Sequence, residues 1–335
     1  MPETIHNIIT DDPLDEKNFH LIKSKLYNRS GLSYIDFKKT LKPVYSKVWL
    51  DIILGWAGII MVMVITPALI QSGNIVLNIC IALAAAMLIG YLIAYLVNFF
   101  HEAAHYNITA SKLSNDRLAN LLIGILIGQG IKNYRIVHWQ HHVALGTTDD
   151  TERSYFESLD LRFFIYSLTG ISALQFLSNR NKFVESKKES TAVLNKEKYS
   201  QLFIALAFHI TILISLYFLA QYWIMAAWLL AVGSFYPFFN KLRQLIEHRS
   251  DNANKKINYA IISHGKLSRI FGNSMLDKSF GSAGFNKHLL HHLEPSVSYT
   301  RLNELESFLK ETILGAAIKE QRASYIRVFK KLLNK

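Results

Sequence analysis

The sequence predicts an all-α integral membrane protein, with four transmembrane helices in two hairpins and a cytoplasmic helical cap. Two uncharged stretches carry this prediction, because Asp, Glu, Lys and Arg are absent from Ile52 to Phe100 and from Tyr199 to Asn240. A spanning helix needs about 20 apolar residues, so each stretch can hold two helices joined by a tight turn. Only 19% of the residues are charged and 50% are hydrophobic, whereas soluble domains carry about 25% charge. This composition excludes an ordinary soluble enzyme.

The same pattern divides the 335 residues into three parts. Residues 1–47 are polar and predict a cytoplasmic N-terminal arm with short helices. Residues 48–305 form the membrane domain, and residues 306–335 predict an amphipathic, basic C-terminal tail. The four spans are expected at about 48–70, 75–99, 201–219 and 222–240.

Further expectations concern the chain within and between the hairpins. Residues 118–131 and 161–177 are apolar stretches that we expect to lie as helices on the membrane surface. Residues 178–198 are rich in Lys, Glu, Asn and Ser and predict a solvated linker. His209 lies inside the third span, where we expect it to form a hydrogen bond with a neighbouring helix.

The charge of the chain predicts its orientation in the membrane. Lys and Arg exceed Asp and Glu by 37 to 25, which gives a net charge of +12. The two turns, at residues 71–74 and 220–221, contain no charge, so every cation lies on the other side, which is the cytoplasmic side by the positive-inside rule. Both termini should therefore be cytoplasmic. No zinc-finger or RNA-recognition motif accompanies the charge, so we expect membrane lipid and an acidic protein, and no nucleic acid, as partners.

Eight of the 13 histidines fall into three tight clusters. Positions i, i+3 and i+4 share one face of a helix, so each cluster presents its imidazoles in one direction. Neutral imidazole is a ligand for zinc, copper, iron and nickel. Beyond the fourth span, Gln244 and His248 share a face in the same way. The clusters are His101 and His105; His138, His141 and His142; and His288, His291 and His292.

Three kinds of protein are compatible with these clusters. His101-Glu-Ala-Ala-His105 matches the HExxH motif of zinc proteases, in which Glu102 would be the general base. One zinc ion leaves six clustered histidines unexplained, however. Eight or nine imidazoles suit two metal ions, and two iron ions beside lipid suggest O2 activation and attack on a C–H bond. A membrane scaffold without activity is the third alternative.

The sequence resembles the integral-membrane fatty acid desaturase and hydroxylase superfamily over most of residues 48–305. Three histidine boxes stand in the family's order, and three flanking stretches also match. The stretches are Gly146-Thr-Thr-Asp-Asp150, Arg243-Gln-Leu-Ile-Glu-His248 and Pro295-Ser-Val-Ser-Tyr-Thr-Arg-Leu302. By this resemblance, Glu102 and Asp149 orient ligands and Gln244 binds a metal through water. The metal ligands implied are His101, His105, His138, His141, His142, His248, His288, His291 and His292.

The resemblance also implies an activity, cofactors and partners. It implies an O2-dependent enzyme with two iron ions that introduces a double bond into a fatty acyl chain. A hydroxylase or ketolase acting on a lipid-like substrate is the nearest alternative. Because the lone Cys80 cannot hold an iron–sulfur cluster, the two electrons should come from a separate ferredoxin or cytochrome b5-type donor. The acyl chain could be carried by CoA, acyl carrier protein or a lipid. We expect a multi-pass protein of the bacterial inner membrane with all boxes cytoplasmic.

Overall fold

The computed structural model describes residues 13–171 and 191–334, and within them helices are the regular secondary structure, with two isolated β-bridges and the connecting turns and loops besides. The all-α prediction is confirmed. In chain order the helices are α1 (Glu16–Ile22), α2 (Tyr34–Thr40), α3 (Tyr45–Leu69), α4 (Ile75–Ala104), α5 (Lys112–Ala119), α6 (Ile125–Ile127), α7 (Ile131–Ala144), α8 (Leu161–Leu168), α9 (Thr191–Phe218), α10 (Tyr222–Leu230), α11 (Tyr236–His248), α12 (Met275–Phe280), α13 (His288–Leu293), α14 (Leu302–Lys310), α15 (Gly315–Glu320) and α16 (Tyr325–Leu333).

Four helices are long and apolar enough to cross a membrane, at the places that the sequence predicts. They are Tyr45–Leu69, Ile75–Ala104, Leu194–Phe218 and Tyr222–His248. The last consists of α10 and α11, which a π-helical turn at Ala231–Phe235 joins. The second and fourth helices continue past the predicted ends at 99 and 240. An α4 of 30 residues is about 45 Å long, whereas the hydrocarbon core is about 30 Å thick. The charge pattern marks only the part that can lie in lipid, so it misses the final turns.

Close packing around α4 holds the helical bundle together. The first hairpin turn is closed by Asn78, whose side chain accepts from the Gln71 backbone N–H at 3.0 Å and donates to its carbonyl at 2.8 Å. A Cβ atom at Gly90 would stand 2.5 Å from the Cβ atom of Phe235, so glycine allows the π-helical turn to approach α4.

The prediction for His209 is confirmed, since its Nδ1 accepts from Trp228 Nε1 at 3.2 Å.

The linker prediction is wrong for residues 191–198, which form the first turns of α9. Glu197 is half-buried, and its carboxylate accepts from the backbone N–H groups of Lys132 at 3.1 Å and Asn133 at 3.3 Å. A carboxylate at this position stabilises the N-terminus of α7, which the sequence hides because the partners are far apart. Residues 172–190 of the predicted surface helix and linker lie outside the described ranges.

Both ends of the described chain pack at the same end of the bundle. From the N-terminal arm, Phe19 and Tyr34 are buried with Leu290 and Phe308 in one apolar core. From the C-terminal tail, α16 buries its apolar face in a second core that contains residues of α11. The predicted boundary between the membrane domain and the C-terminal tail, at residue 305, falls inside helix α14. The limits of the three predicted parts stay predictions. This end of the bundle carries the histidine clusters.

Candidate metal centre

Four helices bring nine histidines together in the protein interior. His101 lies in the last turn of α4 and His105 is its C-cap. Helix α7 carries the second cluster, α11 ends at His248, and α13 carries the third cluster. All nine side chains are buried, with 9% exposure or less. The predicted ligand set is therefore gathered in one place, although its members are up to 191 positions apart in the sequence.

The nine histidines form two groups, in each of which the candidate ligand atoms lie within 4.8 Å of one another. Site A comprises His101, His105, His138, His142 and His291. Site B comprises His141, His248, His288 and His292. The two sites adjoin, since the ring centroids of His142 and His292 are 4.5 Å apart. Each HxxHH cluster serves both sites, because its i and i+4 residues share one site and its i+3 residue joins the other.

In site B, each imidazole is anchored through its Nδ1 atom to a different part of the chain. His141 Nδ1 lies 2.9 Å from Asp150, His288 Nδ1 lies 2.8 Å from Glu247, and His292 Nδ1 lies 2.9 Å from Glu16. His248 Nδ1 lies 2.7 Å from the carbonyl of Leu267. All four acceptors are oxygens, so Nδ1 carries the proton and Nε2 carries a lone pair.

These four Nε2 atoms are buried, and no hydrogen-bond partner meets them among the residues that the structure describes. A buried polar atom without a partner costs about 1–3 kcal/mol. A cation bound by the four lone pairs would remove that cost. The anchored Nδ1 and open Nε2 atoms are the usual arrangement of metal-binding histidines, so site B fits a metal ion.

In site A, four Nε2 atoms lie in a continuous series. His105 is 2.9 Å from His138, His138 is 3.0 Å from His142, and His142 is 3.1 Å from His291. Both nitrogens of His101 are buried and, within the described part of the chain, lack a hydrogen-bond partner. His138 Nδ1 lies 3.2 Å from Glu152. This contact directs the Nε2 lone pair of His138 toward the Nε2 atoms of His105 and His142. Site A therefore also fits a metal ion.

Burial controls the protonation of these rings. Burial and then the neighbouring histidines lower the pKa of His105, His142 and His291 well below the usual range, so these rings are neutral ligands. In site B, burial and neighbouring rings likewise lower the pKa of His292. His141 differs: burial opposes its charge, but the carboxylates of Asp150 and Glu152 raise its pKa to about 9. A metal cation bound at Nε2 would replace the second proton of this ring, and the same carboxylates would stabilise that cation.

The three other predicted residues lie near the sites in different ways. Glu102 is buried and accepts from the Tyr299 backbone N–H at 3.2 Å, which ties the end of α4 to the segment after α13. Gln244 donates to Glu152, the residue whose carboxylate lies beside His138 Nδ1. Asp149 is exposed, and the neighbouring Asp150 contacts His141 instead. The structure therefore places Asp150, rather than the predicted Asp149, against His141, because the turn after α7 directs Asp150 inward.

Sequence reasoning missed four carboxylates that contact the histidines. Asp150 ends the stretch from Gly146 to Asp150 that follows the second cluster, and Glu247 directly precedes His248. Their positions beside predicted ligands could therefore have indicated both carboxylates. Glu152 lies two residues beyond Asp150. Glu16 lies in the N-terminal arm, 276 positions from His292, and no local pattern indicates it.

Comparison with protein families gives an independent result. The family model described as "Fatty acid desaturase" matches residues 78–325, which is most of the chain. The match begins inside α4 and ends where α16 begins, so it includes all nine histidines. Comparison with curated proteins gives no significant match.

Proposed function

The chain belongs to the fatty acid desaturase family, and we propose that it introduces a double bond into a fatty acyl chain. Each turnover would convert –CH2–CH2– into –CH=CH–, with O2, two electrons and two protons consumed and two waters released. The proposed cofactor is a pair of iron ions, and the electrons come from a separate ferredoxin or cytochrome b5-type donor. The substrate is an acyl chain carried by CoA, acyl carrier protein or a lipid.

The observation that carries this proposal is the pair of adjoining, buried imidazole groups. Five and four histidines supply enough nitrogen ligands for two ions, and imidazole suits iron. Two iron ions bound there would supply the activation of O2 and the removal of two hydrogens from the acyl chain.

The remaining contribution belongs to the side chains themselves. The oxygens at the Nδ1 atoms of site B set the tautomer of each ring and hold its Nε2 lone pair toward the metal. Burial of all nine imidazoles keeps bulk water from the reacting groups. Helix α4 joins an apolar stretch to His101, so an acyl chain lying along the membrane helices is led toward site A.

A zinc protease explains the geometry less well. The general base of such an enzyme must stand beside the metal-bound water. Glu102, which holds that position in the HExxH motif, instead accepts a hydrogen bond from the Tyr299 backbone N–H. The motif also accounts for only two of the nine gathered histidines.

We propose that the histidines face the bacterial cytoplasm. The turns at residues 71–74 and 220–221 carry no charge, whereas both described ends of the chain pack beside sites A and B. By the positive-inside rule, the cation-rich side is cytoplasmic. A reduced carrier in the cytoplasm could then reach the histidine-bearing end of the protein.

Product analysis tests this function, and the H141A variant supplies the comparison. We expect gas chromatography–mass spectrometry to show a new unsaturated fatty acid in cells that express the wild type. H141A should reduce this product at least tenfold, because site B loses one of four ligands and the partner of Asp150. The exposed residue Asp149 provides the control, since D149N should keep the product near the wild-type level.

Other outcomes would change the assignment. A new oxygen atom in the acyl chain, rather than a double bond, would identify a hydroxylase. Equal product from wild type and H141A would contradict the role of site B. Purified active protein that contains stoichiometric zinc and negligible iron would contradict the proposed cofactor.

A further inference from the structure

The first helix of the N-terminal arm lies against the histidines of site B. Asp15 caps α1 through a 2.9 Å hydrogen bond from the Lys17 backbone N–H. This cap places Glu16 at the first position of α1, where its Oε1 atom lies 2.9 Å from His292 Nδ1. The family match begins at residue 78, so this carboxylate comes from a part of the chain outside the match.

Buried contacts fix the arm in this position. Phe19 is fully buried and meets Tyr34 of α2 edge-to-face, with ring centroids 5.7 Å apart. Lys23 pairs with Glu294 at 2.8 Å, and Lys38 pairs with the other oxygen of the same carboxylate. Glu294 is only 2% exposed and stands two residues after His292. The arm is therefore tied to the end of the helix that carries His292.

A second tie lies on the other side of site B. Asp15 pairs with Lys266 at 2.9 Å, and the next residue, Leu267, supplies the carbonyl that anchors His248. The start of α1 thus contacts His292 through Glu16 and, through Asp15, the residue next to the one that anchors His248. Of these contacts, only that of Glu16 reaches an imidazole directly.

We propose that Glu16 is a positioning residue for site B, through which the N-terminal arm controls how firmly one of two metal ions is held. The carboxylate accepts the Nδ1–H of His292, which fixes the tautomer and points Nε2 toward the other three histidines. Glu16, His142 and His292 also bring candidate ligand atoms within 4.8 Å of one another. Because Glu16 contacts His292 at Nδ1, on the side away from Nε2, the role assigned to it is to act through His292 rather than as a ligand. This inference rests on the two-metal site of the proposed function.

The release of iron to a chelator tests the inference, because a positioning role affects one site only. Purified, iron-loaded wild type, E16A, E16Q and D36N are mixed with excess chelator, and the chelated iron is followed by absorbance. Loss of a residue that orients a metal ligand lowers metal affinity by about 10–100-fold. We expect E16A to release one iron equivalent at least tenfold faster than wild type, with the second equivalent unchanged.

The other variants separate positioning from general damage to the arm. E16Q keeps a neutral acceptor for Nδ1–H and a similar size, so its fast release should be intermediate. Asp36 is an exposed carboxylate of the same arm, and D36N should behave as wild type. Identical release from E16A and D36N would overturn the inference, as would equal acceleration of both equivalents. Wild type without bound iron would instead overturn the proposed function, and this inference with it.

Discussion

At the scale of single residues, the tautomer of each imidazole decides whether the two sites can bind metal. An unanchored imidazole can carry its proton on either nitrogen, and only the nitrogen without a proton is a ligand. Asp150, Glu247 and Glu16 each accept from a different site B ring. The ligating atom is thereby chosen before the ion arrives, and little reorganisation accompanies binding.

Asp150 provides the sharpest residue-scale prediction. Its two oxygens lie 2.9 and 3.1 Å from His141 Nδ1, so D150N removes the charge that supports this ring. We expect iron bound per protein to fall and product to decrease by about 10-fold or more. D149N is the matched control, because that neighbour is exposed. Equal iron content in the two variants, measured by elemental analysis, would refute the role given to Asp150.

Adjacent carboxylates also show where local sequence stops being informative. Asp149 and Asp150 have the same side chain in the same turn, and nothing in the sequence tells which one is buried. Tyr155 donates to Asp150 and accepts from the Gly146 backbone N–H at 2.8 Å. Tyr155 is itself held by a distant contact, since its ring packs against His248 with the centroids 5.3 Å apart. The inward position is therefore a result of tertiary packing.

At the scale of elements, α13 depends on a buried ion cluster in the neighbouring helix α14. Lys287 directly precedes α13 and is only 2% exposed. Its ammonium pairs with Glu306 of α14 at 2.5 Å, and Lys310 and Arg322 contact the same carboxylate. Burial alone would raise the pKa of Glu306, but these three cations lower it to about 2. The cluster therefore fixes the start of the helix that carries three histidines.

This cluster predicts a difference in acid stability. In E306Q the buried ammonium of Lys287 loses its counter-charge, and breaking a buried pair costs about 3–5 kcal/mol. Because the folded pKa of about 2 lies below the ordinary 4.5, the stabilisation is complete above pH 4.5 and is lost as pH falls toward 2. Thermal unfolding in detergent should give a higher Tm for wild type than for E306Q at pH 7. The difference between the two Tm values should become smaller as the pH falls toward 2.

Glu304 lies on the same helix and gives the control for this measurement. It is half-exposed and pairs with Arg301 at 2.5 Å, and surface pairs contribute about 0–1 kcal/mol. E304Q should therefore unfold within a few degrees of wild type at every pH. If E306Q behaved in the same way as E304Q, the ion cluster would not stabilise α13.

At the scale of the whole molecule, sequence pattern and tertiary structure contributed different information. The long uncharged stretches revealed the four long helices, and the i, i+3, i+4 spacing revealed the ligand candidates, because both depend on local periodicity. The division into sites A and B depends on how α4, α7, α11 and α13 cross, which no local pattern encodes. The contact between Glu16 and His292 similarly joins segments that only packing brings together.

The orientation of the molecule gives the last prediction. If both ends of the chain are cytoplasmic, the turn at residues 71–74 must face the opposite side of the membrane. In a C80S background, S72C should react with a membrane-impermeant maleimide in intact cells with a permeabilised outer membrane. N334C, near the other end of the chain, should react only after the inner membrane is opened. Both positions are exposed in the structure, so burial does not explain a difference between them. Labelling of N334C in intact cells would place the histidines on the opposite side of the membrane from a cytoplasmic electron donor, and that donor could not then supply the proposed reaction.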